Sequence, residues 1–525
     1  MTALANSSVF REFGLRNMVD TLLNEISVMY LSDEIPWVVG YSGGKDSTAV
    51  LQLIWMALDR MPDKDRKKPI HVITTDTLVE NPIVAAWVNQ SIERIKISAN
   101  ESGLPIFSHR LTPEVTDTFW VNLIGRGYPA PKTKFRWCTE RLKIKPSNQF
   151  IKNVVKENGE AIVVLGTRKS ESSNRARSME KLERKQVRDK LNMRPNLINS
   201  FVYSPIEAWS NDDVWMFLMQ YPNAWGFDNK DLLTMYKGAS SDGECPLVVD
   251  STTPSCGDSR FGCWVCTVVD KDRSMSAMVQ NDEEKEWMRP LLDLRNDLDP
   301  RDEFGNRNDR SLRDFRRMDG SVTLYNESSV PGPYTEEARI NWLRKILSVQ
   351  EWIRANGPEA VRGIELITLP ELREIRRIWV IDKHEIEDVL PRIYKEETGG
   401  DFPDWDLDEK AVLGTDEIEI LKDICGDDKI LYQLTRELID VENRFRTANK
   451  RAGLYSAIEK AFRRNFYSDI EDARSRAQRR KVVSNLSELH RTSLSDVDNE
   501  TNKSVFDQYE GIDIDGLIEQ IGREE

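Results

Sequence analysis

The residues best suited to chemistry form the segment Ser-Gly-Gly-Lys-Asp-Ser at positions 42–47. An apolar run at 35–39 predicts a buried strand before it, and the apolar spacing after Ser47 predicts a helix. Glycines let the backbone approach a ligand, while a helix N-terminus and a nearby lysine favour an anion. The segment therefore predicts a phosphate-binding loop. A glycine turn without a ligand is the simpler alternative.

This loop differs from the P-loop of kinases and GTPases, since Val39 stands where that pattern has Gly, and Asp46 where it has Ser or Thr. Its six residues instead resemble the PP-loop of the ATP pyrophosphatases: Ser42, Gly43, Gly44, Lys45, Asp46 and Ser47. The resemblance implies a chain that binds ATP and Mg²⁺ and cleaves ATP to AMP and pyrophosphate. It gives all six residues a nucleotide-binding role, and it gives Lys45 and Asp46 a catalytic one.

Three further apolar runs, at 70–76, 105–109 and 161–165, predict strands that alternate with helices. The fold class is therefore α/β with a mainly parallel sheet. Asp76 ends the second strand, where open α/β sheets place ligand groups. An equally simple interpretation makes Asp76 the N-cap of a helix that starts near Pro82.

The fourth strand runs into a segment with a glycine and two arginines. Gly166 permits a tight exit from the sheet, and Arg168 and Arg175 carry planar groups suited to phosphate or sulfate. We expect segment 166–175 to share one rim of the sheet with the loop, because carboxyl ends of parallel strands meet at one edge.

Three segments in order resemble the phosphoadenylylsulfate (PAPS) reductase branch of PP-loop proteins. They are the loop, a Gly-x-Arg-x-x-Glu-Ser-x-x-Arg pattern at 166–175, and a Pro-Ile-x-x-Trp to Asp-Val-Trp pattern at 205–215. The resemblance spans about residues 30–270. It implies an adenine nucleotide α-hydrolase-like domain in which Asp76 and Gly166 also face the nucleotide.

Five cysteines suggest a metal centre. Cys263 and Cys266 form a Cys-x-x-Cys chelate, Cys256 lies seven residues earlier, and Cys138 lies in a basic segment suited to a thiolate or a cluster sulfur. Four thiolates of this kind fit a 4Fe-4S cluster or structural zinc, and the resemblance to PAPS reductases favours iron–sulfur. Cys245 either replaces Cys256 or remains a free thiol that carries a persulfide.

A closer resemblance is to the DndC family, the PP-loop, cysteine-rich component of bacterial DNA phosphorothioation. It is carried by the loop, the lone Cys138, the Phe-Gly-Cys-Trp-Val-Cys run at 261–266 and a long C-terminal extension. It implies an ATP-dependent sulfurtransferase that acts on DNA, with a cysteine desulfurase as sulfur donor and other phosphorothioation-complex proteins as partners. Three alternatives stay open: a sulfonucleotide reductase, although no Glu-Cys-Gly-x-His segment occurs here, a tRNA thiolation enzyme, and an ATP-binding iron–sulfur scaffold.

The 525 residues are too many for one core, so we predict several parts. They are a PP-loop domain (1–235), a cysteine-rich segment (236–290), a mainly helical domain (291–485) and an acidic, loosely ordered tail (486–525). Basic stretches at 309–317 and 430–483 suit a phosphate backbone or, equally, a solvated or protein-docking face.

The net charge of −14 argues against indiscriminate coating of nucleic acid. No apolar run approaches the ~20 residues of a membrane span, and the N-terminus lacks the pattern of a signal peptide. We therefore expect a cytoplasmic protein without a membrane partner. In that setting the six cysteines favour metal or redox chemistry over disulfides.

Overall fold

The structure is a computed structural model that describes residues 8–183, 186–188, 190–193, 197–239, 262–325, 328–403, 415–446, 451–465, 467 and 471–479. Cys245 and Cys256 lie outside these ranges, as does the predicted acidic tail. Among the described residues, no helix combines the length and the apolar character needed to cross a lipid bilayer.

Seven strands form one sheet in the order β3-β2-β1-β4-β7-β6-β5. Their bounds are β1 Trp37–Gly40, β2 Ile70–Thr75, β3 Ile106–Leu111, β4 Ala161–Val164, β5 Gln186–Arg188, β6 Leu191–Met193 and β7 Ser200–Tyr203. Strands β3, β2, β1, β4 and β7 pair in parallel, and β6 and β5 add an antiparallel edge. The predicted α/β fold with a mainly parallel sheet is confirmed.

Helices α1 to α8 accompany this sheet in the described residues. Their bounds are α1 Val9–Phe13, α2 Leu15–Leu31, α3 Lys45–Asp59, α4 Pro82–Glu101, α5 Lys145–Asn158, α6 Ser173–Glu183, α7 Asn211–Gln220 and α8 Asn229–Gly238. Ser210 caps α7 through a reciprocal pair of hydrogen bonds with Asp213.

The strand order places the loop at the point where the sheet changes direction. From β1 the chain runs outward through β2 to β3, and β4 then pairs on the other side of β1. Ligands of open α/β sheets bind in the crevice at such a point, outside the carboxyl ends of the strands. Segment 41–47, which follows β1, and segment 165–172, which follows β4, therefore border one crevice.

The strands bury both faces because successive side chains point to opposite sides. Trp37 and Val39 pack into a core with α2, α3, α4 and α7. Val38, between them, packs into a smaller core on the other face with Ile151 and Val154 of α5. All three β1 residues are 0% exposed, so the strand that carries the loop is held from both sides.

The rest of the described chain consists of helices joined by loops, with the short pair β8 Leu324–Tyr325 and β9 Ser328–Ser329. Its helices are α9 Arg273–Asn281, α10 Arg289–Asp297, α11 Glu336–Asn356, α12 Leu369–Arg377, α13 Leu390–Thr398, α14 Thr415–Cys425, α15 Lys429–Arg446 and α16 Leu454–Asn465. Residues 471–479 add a further helical run. The predicted helical remainder is confirmed.

A separate core packs residues 119–142, which lie between β3 and α5, against Trp264 and helices α9 to α13. Because Trp264 belongs to this core, the cysteine pair at 263 and 266 lies against a surface built by both parts of the chain. The predicted domain boundaries stay predictions.

Candidate functional site

The backbone of the loop requires glycine at position 43. Gly43 has φ +71°, a left-handed conformation that side chains disfavour. A Cβ there would also lie 2.5 Å from Cγ2 of Val88. Gly44 then adopts an extended conformation and caps α3, so the chain turns directly from the sheet into the helix.

The loop presents unpaired amides beside two hydroxyls. Among the described residues, the N–H groups of Gly43 and Gly44 donate to no protein acceptor. The Oγ atoms of Ser42 and Ser47 lie 3.1 Å apart, and Ser47 Oγ also accepts from Ser42 N–H at 3.2 Å. Free amides at a helix N-terminus attract an anion, so the geometry supports the predicted phosphate-binding loop.

Two cations hold the carboxylate of Asp46. Lys45 Nζ lies 3.1 Å from its Oδ2, and Arg168 Nε lies 2.7 Å from its Oδ1. Arg168 is 3% exposed and donates through Nη1 to Ser170 Oγ at 2.8 Å and to the carbonyl of Trp209 at 3.4 Å. In this arrangement Arg168 orients Asp46 from beneath the loop.

Tyr236 of α8 covers the loop, a residue that the sequence patterns did not single out. Its hydroxyl accepts from Lys45 N–H at 3.5 Å, and its ring lies 5.5 Å from Lys45 Nζ. Burial and the nearby Asp46 charge raise the pKa of Tyr236. The phenol therefore stays neutral beside the lysine. No local signal marks it, since 191 positions separate Tyr236 from Lys45.

Gly166 brings the end of β4 against the loop. A Cβ at Gly166 would lie 2.8 Å from the carbonyl carbon and oxygen of Asp46 and 3.1 Å from Ser47 N. The expectation that segment 166–175 borders the loop is therefore supported at Gly166 and Arg168. Arg175 lies in α6, and its side chain is outside the described part of the structure.

Asp76 follows β2 at the same rim. Its Oδ1 accepts from Leu78 N–H at 2.8 Å, and its Oδ2 accepts from Arg110 Nε at 3.0 Å. The alternative that Asp76 caps the following helix is wrong, because Asn81 caps α4 by accepting from Ile83 N–H. Asp76 is thus held at the crevice by a side-chain ion pair.

The next residues lead from this rim to the cysteines. Thr77 Oγ1 lies 3.3 Å from Cys263 Sγ. Glu80 pairs with Cys263 in an isolated β-bridge, and Trp264 N–H donates to the Val79 carbonyl at 3.0 Å. Segment 76–81 therefore touches the rim that carries the loop at one end and the Cys-x-x-Cys turn at the other.

Buried side chains hold the Cys-x-x-Cys turn. Cys266 N–H donates to the Cys263 carbonyl at 3.0 Å, which closes the turn. Arg295, 1% exposed, donates through Nε to the Cys266 carbonyl at 3.0 Å. Trp264, 2% exposed, packs in the second core. This part of the cysteine-rich segment is ordered by its neighbours.

The structure brings Cys138 to the same place. Burial, together with the nearby charges of Cys263 and Cys266, raises the pKa of Cys138 to about 11. The expectation that the basic segment stabilises a thiolate at Cys138 is wrong for the chain without a metal, whereas the alternative of a cluster sulfur stays a prediction. Arg141 and Lys145, two of its cations, are turned to Asp117 instead.

Lys143 is the cation that faces the thiols. The charges of Cys263, Cys138 and Cys266 all raise the pKa of Lys143, and its Nζ lies 3.8 Å from Glu80 Oε1. In the described residues no three His, Cys, Asp or Glu side chains stand close enough to hold a metal ion. The charges of Cys263 and Cys266 act on Cys138, so the three thiols share one neighbourhood without forming a ready-made metal site.

Comparisons with known proteins agree with this fold. Residues 36–222 match the family model described as the phosphoadenosine phosphosulfate reductase domain. An uncharacterized protein of Methanocaldococcus jannaschii is 27% identical over 185 residues, which are 35% of this chain and 32% of that protein. The match thus spans about a third of that relative's length.

Two solved structures show low similarity to part of this chain. A PAPS reductase from Candida auris, in a phosphate complex, is 14% identical with a TM-score of 0.26 over 42% of this chain and 91% of that chain. An FMN adenylyltransferase from Candida glabrata, complexed with FAD and pyrophosphate, is 12% identical with a TM-score of 0.25 over 46% and 66%. Both TM-scores are too low for a residue-level comparison of sites.

All three sequence segments that resemble PAPS reductases, at 42–47, 166–175 and 205–215, lie inside the matched range. The matched range also contains β1, β2 and β4, whose carboxyl ends carry the loop, Asp76 and Gly166. Residues 36–222 therefore form a PAPS reductase-like domain of the PP-loop kind.

Proposed function

We propose that this protein is an ATP-dependent sulfurtransferase of DNA phosphorothioation, the activity implied by its resemblance to the DndC family. It cleaves ATP to AMP and pyrophosphate and replaces a non-bridging oxygen of a DNA phosphate by sulfur. The observation that carries the proposal is segment 76–81, which joins the rim that carries the loop to Cys263 of the Cys-x-x-Cys turn. A nucleotide site beside thiols suits activation of an oxygen followed by its replacement with sulfur.

The first step needs a site for the departing pyrophosphate. An oxygen of the DNA phosphate attacks the α-phosphorus of ATP, the bond to the bridging oxygen of the β-phosphate breaks, and pyrophosphate leaves. The free amides of Gly43 and Gly44 and the charge of Lys45 stabilise the charge that develops on it. Asp46 is the carboxylate of the loop, and phosphate-bound Mg²⁺ commonly takes one or two carboxylates.

The second step consumes a persulfide. Its terminal sulfur attacks the activated DNA phosphorus, and AMP leaves with the oxygen. A second thiol then attacks the protein-bound sulfur, which releases the phosphorothioate and leaves a disulfide for a cellular thiol to reduce. A cysteine desulfurase supplies the sulfur, and Cys245, outside the described residues, is the proposed carrier.

Cys138, Cys263 and Cys266 are the described residues that would hold a 4Fe-4S cluster, with Cys256 as the proposed fourth ligand. Such a cluster, when bound, supplies thiolate-coordinated iron able to accept electrons or bind sulfur. The chain's own contribution is to hold the Cys-x-x-Cys turn, through the Thr77 hydrogen bond to Cys263 Sγ and the Arg295 hydrogen bond to the Cys266 carbonyl.

The test measures pyrophosphate release and DNA sulfur in the same variants. Lys45→Ala and Ser47→Ala should lower ATP-dependent pyrophosphate release by about 10²–10³-fold, the usual effect of losing one preorganised donor. The control is Lys67→Ala, because Lys67 is exposed and lies in the turn before β2, at the opposite end of the sheet. Wild-type release from both loop variants would rule out the site, and an absence of release from the wild type would favour a scaffold.

Sulfur transfer to DNA is tested by mass spectrometry of nuclease-digested DNA from cells that make each variant. Phosphorothioate dinucleotides should appear with the wild type and vanish with Lys45→Ala and Cys245→Ser. Thiolated tRNA nucleosides instead of phosphorothioates would identify the acceptor as tRNA.

The second candidate is a sulfonucleotide reductase, which the match of residues 36–222 favours. It would release sulfite from PAPS or adenylylsulfate when a thiol reductant is present. Sulfite release by the purified protein, without phosphorothioate in DNA, would replace the first proposal by this one.

A further inference from the structure

A cleft of about 960 Å³ opens in the helical part of the chain. It is bordered by residues 310–320, the first turns of α11, the turn at 382–387, and parts of α15 and α16. Neither the phosphate-binding loop nor the cysteines belong to its described lining. It is thus separate from the site above.

The lining of this cleft is positively charged in a negatively charged protein. Twelve arginines and lysines line it against seven aspartates and glutamates, while the chain as a whole carries −14. The surplus is local. A cleft of one sign with low-dielectric walls concentrates its potential on a bound ion of the opposite sign.

The carboxylates of the lining are already engaged in ion pairs. Arg436 bridges Glu336 and Glu387 at 3.2 and 3.0 Å, and Arg464 pairs with Glu437 at 3.1 Å. The remaining acids pair with Arg316, Arg339, Arg377 and Lys429. Six cations of the lining have no carboxylate partner among the described residues: Arg126, Arg310, Arg317, Lys383, Lys422 and Arg474.

Part of this charge is withdrawn from water. Burial and the charge of Arg339 lower the pKa of Lys383 to about 8, against the opposing charges of Glu385, Asp314 and Glu336. The Nε atoms of three lining arginines, Arg126, Arg339 and Arg436, are also buried without a hydrogen-bond partner in the described structure. Unsatisfied buried donors are costly, and their positive charge adds to the potential that an anion in the cleft would meet.

We infer that this cleft binds the phosphodiester backbone of the nucleic-acid acceptor. Six unmatched cations exceed the charge of one phosphate, and Arg310, Arg317, Lys422 and Arg474 are exposed while Lys383 lies deeper. A chain of phosphates can contact both the exposed cations and the deeper Lys383. The inference rests on the proposed function for the identity of the acceptor, while the charge arrangement stands by itself.

The test is fluorescence anisotropy of a labelled 20-base-pair DNA duplex and of labelled tRNA with the full-length protein, without ATP, over a range of salt concentrations. The variant Arg310→Gln/Arg317→Gln/Arg474→Gln removes three exposed charges from the cleft. The control, Lys64→Gln/Lys67→Gln/Lys96→Gln, removes three exposed charges elsewhere. Each lost phosphate contact lowers the slope of log affinity against log salt by about 0.9 for duplex DNA.

We expect the cleft variant to lose about 2–3 units of that slope and at least 10-fold in affinity at low salt, while the control keeps the wild-type slope. Loss with DNA supports the DNA acceptor, and the same loss with tRNA alone assigns the cleft to RNA. Equal slopes for the cleft variant and the control, with both probes, would overturn the inference. Because ATP is absent, the result does not depend on pyrophosphate chemistry. The variant Lys383→Met applies the same measurement to the deeper charge of the cleft, and it should also lower the slope.

Discussion

Replacing Gly166 by alanine tests whether the end of β4 supports the phosphate-binding loop. The added Cβ would lie 2.8 Å from two backbone atoms of Asp46, about 0.6 Å closer than the 3.4 Å where ordinary contact begins. The opposing atoms are main chain, so no side-chain rotation relieves the overlap. Gly166 lacks the left-handed φ that would add backbone strain. The effect is therefore steric, and it falls on the loop.

The size of the effect follows from this overlap. Overpacking of a buried contact costs about 1–3 kcal/mol, and each kcal/mol lowers Tm by about 2–4 °C in a domain of this size. The shift of Asp46 also disturbs its 2.7 Å contact with Arg168 Nε. A displacement of 1 Å in a catalytic group costs about 10²-fold, so a shift of roughly half that size should reduce pyrophosphate release on the order of 10-fold.

The assay compares Gly166→Ala with Gly363→Ala by thermal unfolding and by pyrophosphate release. Gly363 is the matched control, since a Cβ there meets nothing within 4 Å and its φ is not left-handed. If both variants unfold at the same temperature and release pyrophosphate at the same rate, the close approach of the two segments is refuted.

Three further predictions concern the helical part and the cysteines. Arg295→Ala should destabilise the protein by about 2–4 kcal/mol, because it leaves the carbonyls bonded by that buried side chain unpaired. The control Arg295→Lys should lose less stability. Equal Tm values for both variants and the wild type would contradict this prediction. Anaerobically purified protein should be brown. Cys263→Ser should bleach it, whereas the control Cys425→Ser, in α14, should keep the colour. Colourless wild-type protein with one bound zinc would refute the iron–sulfur cluster. Folding lowers the pKa of Lys383 from 10.5 to about 8, so the unfolded chain binds more protons than the folded chain between these two values. The stability of the wild type should therefore rise with pH across that window. Denaturant melts from pH 7 to 10.5 should show this rise, and the variant Lys383→Met should lack it.

The elements of the PAPS reductase-like domain could be predicted from the sequence because their signals are local. The glycine pair after an apolar strand and the alternation of strands with helices depend on residues a few positions apart. These features determine the backbone conformation wherever the chain folds. They were sufficient to predict the α/β fold and the loop.

The charge around Cys138 could not be predicted in this way. The basic residues near it in sequence predict a stabilised thiolate, but Arg141 and Lys145 form ion pairs with Asp117. The other thiols and burial then dominate the pKa of Cys138. Neighbours in sequence indicate which charges are available, whereas packing decides which of them reach a given atom.

The sequence by itself thus determined the loop, the strands that carry it and the Cys-x-x-Cys pair, since each is a pattern within a few residues. Only the tertiary structure placed Arg168 against Asp46, 122 positions away, and Tyr236 over Lys45. It also assembled the basic cleft from segments between Arg126 and Arg474. The physical reason is that electrostatic and hydrogen-bonding partners are selected by distance in space, which the packing of the cores sets and no local pattern encodes.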